Sequence, residues 1–154
     1  MDVTDIRKHQ EEINYLSFYD QLTGLRNRRY FENEIYEIDR PENLPVSIIM
    51  IDVNGLKLTN DAFGHIAGDE LLVTLAGMLK ETFADNSSIS RVGGDEFIVT
   101  VTKTEIADVM EKVEKFKEDT GKKKIRGIEM SIATGVSSKI ISTQKISDII
   151  KEAE

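Results

Sequence analysis

The stretch Val46-Ser47-Ile48-Ile49-Met50-Ile51-Asp52-Val53 limits the fold more than any other part of this chain. It is apolar on both faces of an extended segment, which describes a central strand covered from both sides. Such a strand needs neighbours on its two edges and helices on its two faces. The rest of the sequence supplies them. Residues 4–18 read as a polar helix with Ile6, Ile13 and Leu16 as sparse apolar positions. Residues 28–39 place Phe31, Ile35 and Ile38 on one helical face. A loop bracketed by Pro41 and Pro45 leads into the strand, and a short helical turn is expected near 56–62. Residues 69–83 carry Leu71, Leu72, Leu75, Met78, Leu79 and Phe83 at helical spacing. Ile106, Val109, Met110, Val113 and Phe116 mark another helix. Ile128, Met130 and Ile132 alternate with polar or small residues as a further strand. Ile146, Ile149, Ile150 and Ala153 begin a last helix. The interleaving predicts an α+β domain, a sheet with helices on its faces.

Two β-type runs, Ser88–Val92 and Phe97–Val101, flank Gly93-Gly94-Asp95-Glu96. Gly-Gly between such runs signals a tight hairpin, since both turn residues can then take φ > 0. The turn presents two adjacent carboxylates, which repel each other and which folding does not require. Chemistry that holds a metal does.

Composition narrows the function classes. The chain has 154 residues, 40% of them hydrophobic, which suits one globular domain. Twenty Lys and Arg against 28 Asp and Glu give a net charge of −8, so no general basic face invites a nucleic acid polymer. A nucleotide remains open to it, provided divalent metal and a few lysines neutralise the phosphates. The absence of cysteine excludes thiolate metal sites and suits a reducing cytoplasm. No apolar run is long enough to span a bilayer, and Met1-Asp2 opens no signal-peptide pattern.

Asp52 to Asp69 is the other informative stretch. Asp52 ends an otherwise apolar strand, where an unpaired carboxylate is costly if buried. Gly55 lets backbone amides approach phosphate oxygens, and Lys57 adds a positive charge. Asn60 and Asp69 offer groups able to read a base edge. Guanine, with its N1–H and N2–H₂ donors, is the natural partner for a carboxylate. Taken singly, these residues also have plainer readings. Asp69 ahead of Leu71-Leu72 serves equally as a helix N-cap, His65 as a structural histidine, Asn54 and Asn60 as turn residues. Lys57 and the Lys122-Lys123-Lys124 cluster read as solvated lysines.

Asp20-Gln21-Leu22-Thr23-Gly24-Leu25-Arg26-Asn27-Arg28-Arg29, then Asp52 to Asp69, then Arg91-Val92-Gly93-Gly94-Asp95-Glu96-Phe97 stand in the order and spacing of the GGDEF family. The sequence resembles those diguanylate cyclases, which join two GTP molecules into cyclic di-GMP and release pyrophosphate. The resemblance covers residues 19–154, leaving 1–18 as an N-terminal signalling or linker helix. It implies a five-stranded, mostly antiparallel sheet like that of class III nucleotide cyclases and polymerase palms. It further implies that Asp52 and Asp95, with the main-chain carbonyl of Val53, hold two Mg²⁺ or Mn²⁺ ions per GTP site. Glu96 completes the metal shell or accepts the proton of the attacking 3′-hydroxyl. Asn60 and Asp69 read guanine with His65 close by, Gly94 lets the backbone pass near the nucleotide, and Gly55, Leu56 and Lys57 cradle the phosphates.

Three departures accompany the match. Gly55-Leu56 replaces a form with phenylalanine before the lysine. Ala84 and Ser87 stand where many relatives carry an Arg-x-x-Asp product-inhibition site, so tight product binding there is expected to be absent. Glu154 falls inside the helix where the family continues to a phosphate-clamping lysine and arginine, so the family domain reads as truncated. Asp2–Lys8 resembles the exit of a PAS sensor domain, and Ile6 and Ile13 stand seven apart as in a coiled-coil seam. One domain holds one GTP, so catalysis is expected from a transient antiparallel homodimer under an upstream sensor. The location expected is cytoplasmic, with membrane attachment open to the full-length protein. The competing expectation is a catalytically silent GTP-binding regulatory module.

Overall fold

The computed structural model describes residues 2–154, the side chains of residues 14–16 excepted; the expectations for Met1 and for Leu16 as an apolar position lie outside the described residues. The elements are α1 (Val3–Phe18), β1 (Arg26–Asn27), α2 (Arg28–Ile38), β2 (Val46–Val53), α3 (Leu56–Phe63), α4 (His65–Thr82), β3 (Ser87–Arg91), β4 (Glu96–Thr102), α5 (Ile106–Gly121), β5 (Lys124–Ile125), β6 (Ile128–Glu129), β7 (Ile132–Lys139) and α6 (Ile146–Ala153). Five strands form one sheet in the order β1-β3-β4-β2-β7. Every pairing is antiparallel except the short β1–β3 contact. β5 and β6 make a separate small hairpin.

The period-two alternation of β2 splits the interior into two cores. Ile49, Ile51 and Val53 join Phe97, Val99 and Val101 of β4 against Leu71, Leu72, Leu75 and Leu79 of α4 and Val109, Val113 and Phe116 of α5. Val46 and Ile48 turn the other way. They meet Ile35 of α2 and Ile146, Ile149 and Ala153 of α6. The doubly apolar strand is thus covered on both faces. By the same alternation Asp52 belongs to the α2/α6 side, and so does Glu96, its register partner across β4.

Three local expectations differ from the structure. The best helix begins at His65, four residues before the predicted start. Gly64 ends α3 and caps α4 at φ 87°, a conformation that favours glycine. Asp69 is therefore inside α4 and is not its N-cap. The alternating stretch 128–133 is not one strand either: Ile128–Glu129 closes the small hairpin, and the sheet strand runs on through polar Lys139. Finally, Gly93 and Gly94 are absent from the positive-φ residues, so the turn is wider than a two-residue primed hairpin.

The polar end of β7 is held by partners from distant elements. The buried Lys139 ammonium pairs with Asp39, and Ser137 Oγ donates to Glu152 Oε2 at 2.9 Å.

Candidate active site

The β2–β4 register sets Asp52 opposite Glu96. Beyond that pair, Val53 N–H donates to the Asp95 carbonyl oxygen at 2.8 Å, which draws the turn back over the end of β2. Ligand atoms of Asp52, Asp95 and Glu96 consequently lie within 4.8 Å of one another. Asp52 and Asp95 are exposed and Glu96 is half-buried. No Lys, Arg or His pairs with any of the three among the described residues. Three like charges so close are mutually destabilising unless a cation joins them. Carboxylate oxygens with neither nitrogen nor sulfur suit a hard divalent ion. The donor set fits Mg²⁺ or Mn²⁺.

An open polar trough of about 430 Å³ leads from Asp52 and Glu96 past Thr134 and Gly135 to Ala153 and Glu154 at the end of α6. Behind Glu96 lies a smaller hollow of about 240 Å³, with Phe31, Ile35, Met50, Ile98 and Ile150 among its lining.

The acid-bearing turn is braced from the far end of the chain. Arg91 Nη2 donates to the Gly94 carbonyl at 2.8 Å, one residue before Asp95. Its Nη1 contacts both carboxylate oxygens of Asp20 at 3.1 and 3.2 Å. Asp20 in turn accepts from the Thr23 amide and hydroxyl at 2.9 and 2.7 Å. Burial pushes the Asp20 carboxyl up, but the Thr23 hydrogen bonds and the Arg91 guanidinium outweigh it and hold the group below the usual carboxylate range. Arg28 Nε adds a bond to the Val92 carbonyl at 3.0 Å.

Gly55 follows β2 by two residues, with φ 74°, and caps α3. Leu56 and Lys57 form the first turn of that helix, whose leading N–H groups have no helical acceptor. Asn54 anchors this corner: its amide N–H donates to the Ser131 carbonyl at 2.8 Å, and Nδ2 to Ser131 Oγ at 3.0 Å. Asn60 lies on α3, and exposed His65 and Asp69 lie on the first five residues of α4, across the single-glycine junction. Asp69 stands outside the acidic cluster. Its neighbour Glu70 holds the β5–β6 hairpin through a two-point pair with Arg126, at 3.0 and 3.3 Å. The Oδ1 atom of Asn60 is buried and has no hydrogen-bond partner among the described residues.

The structure thus brings Asp52, Asp95 and Glu96 to one point, with Val53 bonded to Asp95 through its N–H, Gly94 on the same turn and Gly55, Leu56 and Lys57 just past β2. Sequence pattern assigns no role to Arg91, Asp20, Ser131 or Gly68. Gly68 in particular precedes the predicted helix 69–83, and only the structure places it inside α4.

The chain matches the family described as "Diguanylate cyclase, GGDEF domain" over residues 17–154. It is 32% identical over 158 residues to a diguanylate cyclase of Vibrio cholerae, covering 99% of this chain and 49% of that protein. It is 37% identical over 126 residues to the signaling protein YkoW of Bacillus subtilis, covering 76% of this chain and 16% of that protein. The chain therefore spans at most about half the length of these two relatives. Among solved structures, the active GGEEF domain of a Vibrio cholerae diguanylate cyclase superposes with a TM-score of 0.74 at 29% identity, covering 82% of this chain and 85% of that one. The coiled coil and GGDEF domain of DgcB from Caulobacter crescentus, in complex with c-di-GMP, gives 0.85 at 20% identity, covering 98% of this chain and 84% of that one. That second likeness bears on the fold alone.

Proposed function

The chain belongs to the GGDEF family, and from that premise we propose that it is a diguanylate cyclase catalytic domain, condensing two GTP into cyclic di-GMP and two pyrophosphates. The observation that carries the reading is the convergence of Asp52, Asp95 and Glu96 within 4.8 Å at the meeting ends of β2 and β4. These carboxylates, with the Val53 carbonyl, would hold two Mg²⁺ or Mn²⁺ ions. A bound metal pair would supply electrostatic stabilisation of the attacking and leaving oxygens.

The chain's own groups do the rest. Leu56 and Lys57, behind Gly55, present amides and an ammonium to the β- and γ-phosphates. Asn60 and Asp69 hold the guanine edge with His65 beside them, and Gly94 keeps the turn free of a side chain where the nucleotide passes. A Cβ at Gly94 would meet nothing within 4 Å, which agrees with open space there. Glu96, half-buried beside the trough, completes the metal shell or takes the proton of the 3′-hydroxyl. That hydroxyl attacks the α-phosphate of a GTP held by a second copy, so turnover requires transient antiparallel pairing and proximity sets its rate. Upstream, α1 would connect to a sensor, PAS-like by the resemblance of Asp2–Lys8. The cytoplasm is where GTP and Mg²⁺ would be met. No helix of the described residues is long and apolar enough to cross a membrane.

The test uses the chain alone and the chain paired through a fused antiparallel coiled coil, each with GTP and Mg²⁺. Cyclic di-GMP from wild type, abolished in Asp95→Ala and Glu96→Ala, supports the reading. GTP binding by the paired form without product would favour the silent regulatory module instead.

A further inference from the structure

The hollow behind Glu96 lies over the sheet between α2 and α6. Phe31 and Ile35 of α2, Met50 of β2, Ile98 of β4 and Ile150 of α6 line it. Ile35 and Ile98 are buried in the core on this face, whereas Phe31, Met50 and Ile150 pack against that core and stay partly open. The two helices thus leave about 240 Å³ unfilled above an apolar floor. A dry apolar cavity of about 150 Å³ accepts a benzene ring, and pockets for drug-sized ligands begin near 300 Å³. The hollow therefore suits one ring or a short alkyl chain.

Its boundary with the trough is acidic. Glu96 and Glu154 line both spaces, so they stand where the two meet. Glu96 leans back over the turn: a Cβ on Gly93 would meet its Oε2 at 3.3 Å and its Cβ and Cδ at 3.4 Å. Neither glutamate has an ion-pair partner among the described residues. Arg28, the cation in the lining, is already engaged. Its Nη1 faces Glu32 Oε1 at 3.7 Å and its Nε donates to the Val92 carbonyl at 3.0 Å. An apolar floor beside two uncompensated carboxylates is complementary to a ligand with an apolar body and a positive head.

We propose that this hollow is a binding site for a small hydrophobic amine, its body on Phe31, Met50 and Ile150 and its ammonium on Glu96 and Glu154. Such an amine is protonated at neutral pH, as lysine is. Because Glu96 also belongs to the acidic cluster, an ammonium seated on it opposes the cation that the cluster would hold. Amine and metal are then antagonists, and the amine is an inhibitory ligand. That antagonism rests on the reading of Glu96 as a metal ligand; the amine site itself does not.

Calorimetry on the metal-free chain compares 2-phenylethylamine, 2-phenylethanol and ethylamine. The aromatic amine is expected to bind ahead of the alcohol by about fivefold, the range of a partly exposed ion pair. Ethylamine, which lacks the ring, is expected not to bind measurably. No binding of 2-phenylethylamine, or an alcohol that equals it, or an ethylamine that equals it, would each overturn the proposal. Ile150→Phe fills the hollow and should abolish binding in a protein shown to be folded by its urea midpoint. Glu154→Gln alters an exposed side chain and should narrow the lead of the amine while leaving the affinity of the alcohol unchanged. An amine bound by Glu154→Gln as tightly as by wild type would sink the assignment of its head. In the last arm, electron paramagnetic resonance follows Mn²⁺ without nucleotide. Saturating 2-phenylethylamine should weaken Mn²⁺ several-fold, and Mn²⁺ should weaken the amine by the same factor. Undiminished Mn²⁺ affinity would place the amine away from Glu96 and refute the inference. If wild type binds no Mn²⁺ at all, the metal reading fails and the antagonism falls with it, while calorimetry still decides the amine site.

Discussion

A single methyl group added at Gly135 should loosen α6. Gly135 lies on β7 opposite Met50 of β2, on the sheet face that α6 covers. A Cβ there would sit 1.9 Å from the Ala153 carbonyl oxygen and 3.0 Å from its carbon. Both are backbone atoms, so no rotamer change relieves the clash. Reaching even a 3.0 Å contact requires α6 to retreat by about 1 Å. That displacement opens the packing of Ile146 and Ile149, both buried, against Val46 and Ile48. Overpacking of a closed core costs about 1–3 kcal/mol. Gly135→Ala should therefore lower unfolding stability by that amount in urea titration, with the m-value unchanged. Gly77 on α4 is the internal control, since a Cβ there meets nothing within 4 Å. Gly77→Ala should stabilise by up to about 1 kcal/mol through helix propensity alone. A Gly135→Ala protein as stable as wild type, beside a stabilised Gly77→Ala, would refute the packing argument. Because Ala153 and Glu154 also wall the trough beside Asp52 and Glu96, the same variant should raise KM for GTP.

Two further outcomes follow from the brace on the acid-bearing turn. Arg91→Met removes the donor to the Gly94 carbonyl and the partner of Asp20, a charge-assisted pair of contacts of about 1.5–3 kcal/mol. Mn²⁺ affinity without nucleotide, followed by electron paramagnetic resonance, should fall by roughly tenfold or more, and Arg91→Lys should not restore it, since an ammonium cannot span both acceptors; unchanged affinity in Arg91→Met would dissociate the brace from the metal site. The depressed Asp20 carboxyl gives a pH signature: its stabilisation is complete above the ordinary carboxylate value near 4 and is lost as pH falls through the lower folded value. The stability gap between wild type and Asp20→Asn, measured by urea midpoints, should be constant from about pH 7 to 5 and close below about pH 4; a gap that persists at low pH would rule out the charge as its cause.

What the sequence discloses is whatever burial writes into local pattern. β2 shows apolar residues on both faces because helices cover both. The leucines of α4 repeat at helical spacing because one face meets the sheet. The end of β7 escapes detection for the opposite reason. Ser137 and Lys139 are buried, but their polar atoms are satisfied by Glu152 of α6 and by Asp39 just past α2, from 15 and 100 residues away. No local window contains that information. Asp69 mimics a cap because the helix start depends on Gly64 taking a conformation that its neighbours do not advertise. The glycines of the acidic turn suggest a positive φ that they do not adopt. The acids themselves are legible as a motif. Their approach to 4.8 Å depends on the β2–β4 register, which only the folded sheet fixes.

α1 projects as a rod of about 24 Å, exposed along residues 3–13. At its base Asn27 Nδ2 ties down the Ser17 carbonyl, and Asp20, two residues past the rod, is locked to the guanidinium that grips Gly94. A twist imposed far out on this lever would arrive first at those contacts. From there it would pass to the acid-bearing turn through the Asp20–Arg91 ion pair.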